Sequence, residues 1–465
     1  MRRGAGTLAA AAIAAGMAAG GGTAAAATAV PADAFTDSVG VNVHVMYLDT
    51  AYENHGRTVG ALRWLGVRHV RDQVRRPVPS STAWWRAEQR RRLMALHRAG
   101  MRMTLIAGGP TDDSLGSLSD RLGIIRGLRG VVAVEGPNEW DLNGGADWVP
   151  NLTAMQQALY AATKRDPVLS RRRVRVLGPS LGREGNYEVL GDLSRAMDIG
   201  NIHAYTGARM PEEQELPGAF VLADGGLDLV KATTGRRPLW VTETGYHDAF
   251  AQLGRQPPTA PGAAAAYTAR TLLQHMALGM QRTFLYELLD QHPDPAGLNQ
   301  EANFGLFDHQ FAPKPSGHAV RNLLRLMRDR GTSPTGAELD VTLSGGDEGL
   351  RSLVLAKSDG RFVVALWRAV PVWEPWSRTE LLVAPQTIGV EAGQKFAVAR
   401  AYRPVDGVSP VHVRTNTNRI DVPVGGGPVL VEFSPTVRGA TKTRTPQRPF
   451  VDVLGPLPLA GGEVW

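Results

Sequence analysis

The chain of 465 residues contains no cysteine. That excludes a disulfide framework, a thiolate nucleophile and any thiolate metal site. HExxH and similar metal patterns are also missing, so a metal-dependent enzyme ranks last among the readings, and neither metal nor cofactor is expected. No GxGxxG follows the first apolar run, which argues against a dinucleotide site. Past the N-terminus no run reaches the roughly 20 apolar residues of a membrane span. Aromatic residues are scarce, at 6%. The basic runs RAEQRRR (Arg86–Arg92) and Arg171–Arg173 lack the interleaved aromatics of a single-strand binder. They also match no helix-turn-helix or finger pattern. The net charge of +7 is therefore read as solvated helix faces, with non-specific attraction to an anionic envelope left open. No nucleic-acid partner is expected.

What is present is a large apolar complement, 43% of residues, with 53 glycines and 31 prolines for loops. The length suits one large domain and a smaller one. Arg2 and Arg3 open the chain, an Ala-rich stretch follows, and Ala27-Thr28-Ala29 fits a small-x-small cleavage site. Residues 1–29 are thus expected to be a signal peptide, and the mature protein to be secreted or envelope-associated. A disordered Ala tail is the plainer alternative.

From residue 36 to 330 short apolar runs alternate with amphipathic stretches. The runs are Val39–Val45, Val67–Val74, Arg102–Gly108, Val131–Gly136, Arg173–Ser180, Met197–Tyr205, Pro238–Gly245 and Arg282–Leu289. Most are β-branched and too short for independent helices. Helical spacing marks Arg57–Gly66 and Ala87–Gly100, each closed by glycine. Eight strand–helix repeats predict a (β/α)8 TIM barrel; a doubly wound sheet would need no eighth unit. Residues 332–437 then read as a C-terminal antiparallel β-sandwich, with SDG (Ser358–Gly360) and EAG (Glu391–Gly393) as tight-turn candidates. Residues 438–465 read as a tail.

Barrel enzymes carry their chemistry at the C-terminal ends of the strands. Those ends show His44, Arg71 with Asp72, Asn138-Glu139-Trp140, His203 with Tyr205, Glu243, and Tyr286 with Glu287. Polar groups there cost desolvation unless they are paired or used. Strands 4 and 7 face each other across an eight-membered ring, so Glu139 and Glu243 can meet over one mouth. Two facing carboxyl groups suit glycosidic cleavage, one protonating the leaving oxygen and the other attacking the anomeric carbon or activating water. Singly, each residue has a blander role. A glutamate after a strand is usually a helix-start charge, His203 a satisfied core histidine, Arg71 the ion-pair partner of Asp72 or Asp198. Trp64, Trp140 and Trp240 are more often core than platform.

The motifs GPNEW (Gly136–Trp140) and WVTETG (Trp240–Gly245) resemble those of the clan A glycoside hydrolases, with catalytic glutamates after strands 4 and 7. HAY (His203–Tyr205), the Arg71-Asp72 pair and the segment Asn303–Leu324 are similar to further clan features. The layout is closest to families 39, 30, 51 and 5. The resemblance implies Glu139 as general acid/base and Glu243 as nucleophile. It implies Asn138 on the sugar 2-hydroxyl, Tyr205 and Arg71 aligning the nucleophile, His203 beside the acid/base, and His44 on the sugar. Many clan members end strand 8 in Trp; here Tyr286 or Glu287 must shape that wall, Glu287 by touching sugar hydroxyls or pairing with an arginine. The expected protein is a monomeric, retaining hydrolase of an oligo- or polysaccharide. A transglycosidase and a non-catalytic carbohydrate-binding protein on the same scaffold are the alternatives. Trp367, Trp373 and Trp376 keep a sugar-binding role for the sandwich open.

Overall fold

The computed structural model describes residues 25–75, 82–108, 115–212, 226–251, 256–329 and 331–435. The expected leader up to residue 24 and the tail from residue 436 lie outside them. Eight parallel strands follow the predicted runs. They are β1 (Val39–Asn42), β2 (His69–Gln73), β3 (Arg102–Ile106), β4 (Val131–Glu135), β5 (Arg175–Val176), β6 (Gly200–His203), β7 (Leu239–Thr244) and β8 (Arg282–Leu285). Their order is β5-β4-β3-β2-β1-β8-β7-β6. The two ends meet through a parallel bridge between Leu177 and Ile199, so the ring closes. There the Gly178 N–H donates to the Ile199 carbonyl at 2.7 Å.

Alternation along each strand builds the barrel interior in layers. Ala133, Leu177, Ile199, Trp240 and Phe284 form an apolar cluster of their own. Gly40 belongs to the same level, because a Cβ there would stand 2.5 Å from the Phe284 ring. Two residues further along the strands come Asn42, Glu135, Asn201 and Thr242, all buried and polar, beside Arg71 of β2. The next step reaches the mouth, with His44, His203 and Tyr286. The outward residues, Val41, Val70, Val134, Ile202 and Val241 among them, pack on the surrounding helices. Helix His55–Leu65 follows the predicted pattern and stops at Gly66, whose φ is 87°.

The second domain is one continuous sheet whose strands serve two cores. It contains β9 (Glu338–Ser344), β10 (Leu350–Ala356), β11 (Phe362–Arg368), β12 (Gln386–Tyr402), β13 (His412–Val424) and β14 (Val429–Ser434). Val354, Val364, Leu366, Val431 and Phe433 face its own core. Their neighbours Leu353, Leu355, Val363, Ala365 and Leu430 face the barrel. The turn expected at Ser358–Gly360 is present, with the Gly360 N–H donating to the Lys357 carbonyl. The turn expected at Glu391–Gly393 is not: β12 runs through it, with a register irregularity between Glu391 and Phe396. Gly393 serves close packing instead, since a Cβ there would sit 2.7 Å from Asp340. The chain also enters through this domain. Ala25–Thr28 pairs with β9, and Val30–Pro31 with β10. Residues 25–29, counted in the expected leader, thus hydrogen-bond to the sheet.

Trp367 and Trp373 are buried, while Trp376 is exposed. The run Arg86–Arg92 is only partly a solvated face. Arg91 is exposed beside Glu88, but Arg92 is buried and donates to the carbonyls of Val45, Tyr52 and Glu53, clamping the loop after β1. No described helix is long and apolar enough to cross a membrane.

Arg270, fully buried, joins the two domains. It pairs with buried Glu212 and donates to the carbonyls of Val370 and Gly426 at 2.8 and 3.2 Å. Removing one partner strands the other's charge away from water. Arg270→Met is expected to lower unfolding stability by about 3–5 kcal/mol in urea melts. Adding Glu212→Leu should recover much of that loss. Equal stability of Arg270→Met and the parent would refute the pairing.

Candidate active site

The site stands on Arg71, buried in the barrel's polar layer. Its Nε and Nη2 donate to Glu135 Oε2 and Oε1, both at 2.7 Å, in a bidentate fork. Nη1 donates to Asn42 Oδ1 at 2.9 Å and to Glu243 Oε1 at 2.5 Å. Nη2 also reaches Asn138 Oδ1 at 2.6 Å. Burial opposes its charge, but the carboxylates of Glu135 and Glu243 outweigh that and raise its pKa. Arg71 is therefore a permanent cation under the mouth. Neither Asp72 nor Asp198 is its partner. Asp72 accepts the Val45 and Gln73 N–H groups, and Asp198 pairs with Lys164.

Glu243 receives a donor on each oxygen, Arg71 on Oε1 and the Tyr205 hydroxyl on Oε2 at 2.9 Å. Burial, then the Glu243 charge, push the Tyr205 phenol well above its usual range, so it stays a donor. Glu139 projects from the loop after β4 with φ 44° and ψ 47°, the left-handed region. A non-glycine residue there is strained, and such strain collects at functional sites. Glu139 Oε1 lies 2.6 Å from His203 Nδ1, and Glu243 Oε2 lies 3.6 Å from the same nitrogen. Burial opposes ionisation of Glu139, but the hydrogen bond and charge of His203 prevail and hold its pKa below the ordinary value. His203 moves the other way. Burial disfavours its cation, yet Glu243 and Glu139 raise its pKa. One proton is thus shared along this contact, and the pair titrates together.

The mouth opens on a cavity of about 770 Å³. His44, Arg71, Asn138, Glu139, His203, Tyr205, Glu243 and Tyr286 all line it, as the sequence predicts. Asn138 has its oxygen committed to Arg71, leaving its amide N–H groups for a ligand. His44 stacks on Tyr47, with centroids 4.4 Å apart. Burial lowers its pKa to about 4, so it is neutral.

Two expected residues are not in the wall. Trp140 packs in the core, its ring so close to Gly144 that a Cβ there would meet it at 2.0 Å. Glu287 is fully buried behind the wall. It touches neither a ligand surface nor an arginine: it accepts from the Tyr52 hydroxyl at 2.6 Å and Gln291 at 2.8 Å, with His44 Nε2 at 3.4 Å. Burial raises its pKa well above the carboxylate range. The Tyr286–Glu287 peptide bond is cis. The ends of β7 and β8 approach closely here, and a Cβ on Gly245 would lie 2.1 Å from the Tyr286 carbonyl.

Sequence reasoning missed Glu135, which ends an apolar run in view but is covered by Arg71. It also missed Tyr47, Leu142, Gln256, Glu301 and Phe304, which reach the cavity from the loops and short helical turns between the main elements. Loop residues carry no periodicity, so only the fold assembles them. Glu139, His203 and Glu243 each bring one possible ligand atom to within 4.8 Å of the others, a spacing a cation could use. Arg71 and Tyr205 already donate to Glu243, so the hydrogen-bonded carboxyl–imidazole contact accounts for the spacing.

No family model matches the chain, and no curated protein does. Solved structures do share its fold. A family 39 glycoside hydrolase from Bacteroides cellulosilyticus WH2 superposes with a TM-score of 0.59 at 16% identity, covering 87% of this chain and 82% of its own. A glucosidase from Croceicoccus marinus gives 0.53 at 13% identity, covering 81% and 91%.

The Glu139–His203 contact predicts a pH signature. Glu139 has its folded pKa lowered from 4.5, so its share of stability is present above that value and lost as pH falls through the folded pKa. His203 has its folded pKa raised from 6.5, so its share is full below that value and lost as pH rises through the folded pKa. The destabilisation caused by His203→Gln should be largest between these two values and shrink on either side. Thermal melts of both proteins from acid to alkaline pH measure it, and a pH-independent difference would exclude the coupling.

Proposed function

We propose that the protein is a retaining glycoside hydrolase, with Glu243 as nucleophile and Glu139 as general acid/base. One observation carries this reading. An oxygen of Glu139 and an oxygen of Glu243 lie within 4.8 Å of each other over a single cavity. Retaining pairs stand about 5–5.5 Å apart, whereas inverting pairs leave about 6.5–9.5 Å for a water. The close spacing favours direct attack by the carboxylate.

In the first step a Glu243 oxygen bonds to the anomeric carbon as the glycosidic C–O bond breaks. Glu139 gives its proton to the departing oxygen. In the second, Glu139 takes a proton from water, whose oxygen displaces Glu243 from the sugar. Arg71 and Tyr205 hold Glu243 in its turned position and donate to its carboxylate again once the sugar has left. His203 holds a proton 2.6 Å from Glu139, within direct transfer distance. A transglycosidase would use the same groups and replace water with a sugar hydroxyl. A purely binding protein would have no use for two carboxyl groups turned toward one another.

Export fits the N-terminal pattern. Cleavage upstream of Ala25 would keep the edge strand that a cut near Ala29 would remove. N-terminal sequencing of the mature protein decides between the two bonds.

Glu243→Ala should abolish turnover of aryl glycosides, and azide should restore it, giving a glycosyl azide of inverted configuration. Glu139→Ala should slow substrates with poor leaving groups by roughly 10²–10⁴ while largely sparing activated ones. Trapping with a fluorinated glycoside should label the peptide containing Glu243. Equal losses on good and poor leaving groups would remove Glu139 from the acid role.

A further inference from the structure

The charges around this cavity constrain which sugars it can hold. Among the described lining residues only Arg71 and Arg183 are permanent cations. Arg71 has five N–H donors, and all five are committed. Two go to Glu135, and the others to Asn42, Glu243 and Asn138. A carboxylate on a ligand would find no free donor there. Arg183 lines the same cavity but is exposed, where water screens its charge. His44 is neutral, and His203 gives its Nδ1 to Glu139.

Against this stands a third carboxyl group. Glu301 lines the same cavity, beside Tyr286 and Phe304. Its Oε2 lies 3.4 Å from the Tyr286 hydroxyl and its Oε1 accepts from Gln300 at 3.0 Å. It has no ion-pair partner among the described residues. Its side chain is exposed at the cavity rim, and partial desolvation and then the charges of Glu243 and Glu139 raise its pKa.

We propose that Glu301 makes this pocket select neutral and amino-bearing sugars and turn away sugars that carry a carboxylate. An anionic sugar adds like charge beside Glu301, Glu243 and Glu139 without an uncommitted donor from Arg71, and such juxtaposition is unfavourable. A neutral sugar avoids that, and an ammonium group gains from it. The inference rests on the carbohydrate-binding part of the reading above, not on turnover.

The test compares matched sets of methyl glycosides, both anomers, in gluco and galacto configuration: the hexose, the 2-amino-2-deoxyhexose and the hexuronate. Calorimetric titration of the parent and of Glu301→Gln gives the ratios of affinity. Glutamine keeps the shape and the contact with Tyr286. The parent should bind its best neutral sugar at least about tenfold more tightly than the matching uronate, and Glu301→Gln should narrow that ratio by about tenfold. The amino sugar should lose affinity in the variant. Equal binding of uronate and hexose by the parent, an unchanged ratio in the variant, or no binding of any member overturns the proposal. Matched 4-nitrophenyl glycosides assayed alongside separate the two ideas. The expected affinity ratios with no glycoside cleaved would sink the hydrolase reading and leave the selectivity standing.

Discussion

Everything at the barrel mouth depends on one buried guanidinium. Arg71 lies out of reach of water, where an unpaired charge would be prohibitively costly. Its five donors meet five acceptors on strands β1, β4 and β7 and in the loop after β4. Glu135 neutralises it from below with a bidentate fork. Glu243 takes the remaining face from above. The same contact that satisfies the arginine fixes the orientation of Glu243, so the cost of burying the arginine and the use proposed for Glu243 meet in one pair of bonds.

The layer beneath explains why that arrangement holds. Asn201 donates to Glu135 at 2.9 Å and accepts from Thr242 at 2.6 Å, so the fork is braced from β6 and β7. Asn42 donates to the carbonyls of Thr242 and Leu285, tying β1 to β7 and β8. Under this ring sits an apolar plug of Ala133, Leu177, Ile199, Trp240 and Phe284. A satisfied polar network on a packed apolar base has few alternative arrangements. The second domain contributes no group to the cavity wall among the described residues, but Arg270 and the apolar faces of β10 and β11 fasten it to the barrel.

The Glu139 side is set up differently. Glu139 is strained, half-buried and bound to a histidine rather than to an arginine. The general-acid role proposed for Glu139 needs a proton at working pH, and His203 keeps one within reach while lowering the affinity of Glu139 itself. Two glutamates in one cavity therefore have different partners. One meets a fixed cation, the other a titrating one, and the division of roles proposed for them follows from that difference.

Period-two alternation and β-branched runs identified eight strands, and glycine stops identified the helices between them, because these are local properties of the chain. Residues at strand ends were equally legible. His44, Arg71, Asn138, Glu139, His203, Tyr205, Glu243 and Tyr286 reach the cavity as strand order requires. Trp140 and Glu287 carried the same signal and turned inward, since facing is decided by a loop's path and a neighbour's hydroxyl, not by the strand. The EAG segment reads as a turn in isolation and is a close-packed step in a long strand. Glu135 was visible as an acid at the end of an apolar run, but its partner lies 64 positions away, on β2. Only closure of the barrel brings that arginine, two carboxylates and a loop-borne Glu301 around one space, because pairing across a ring depends on distances that no local pattern encodes.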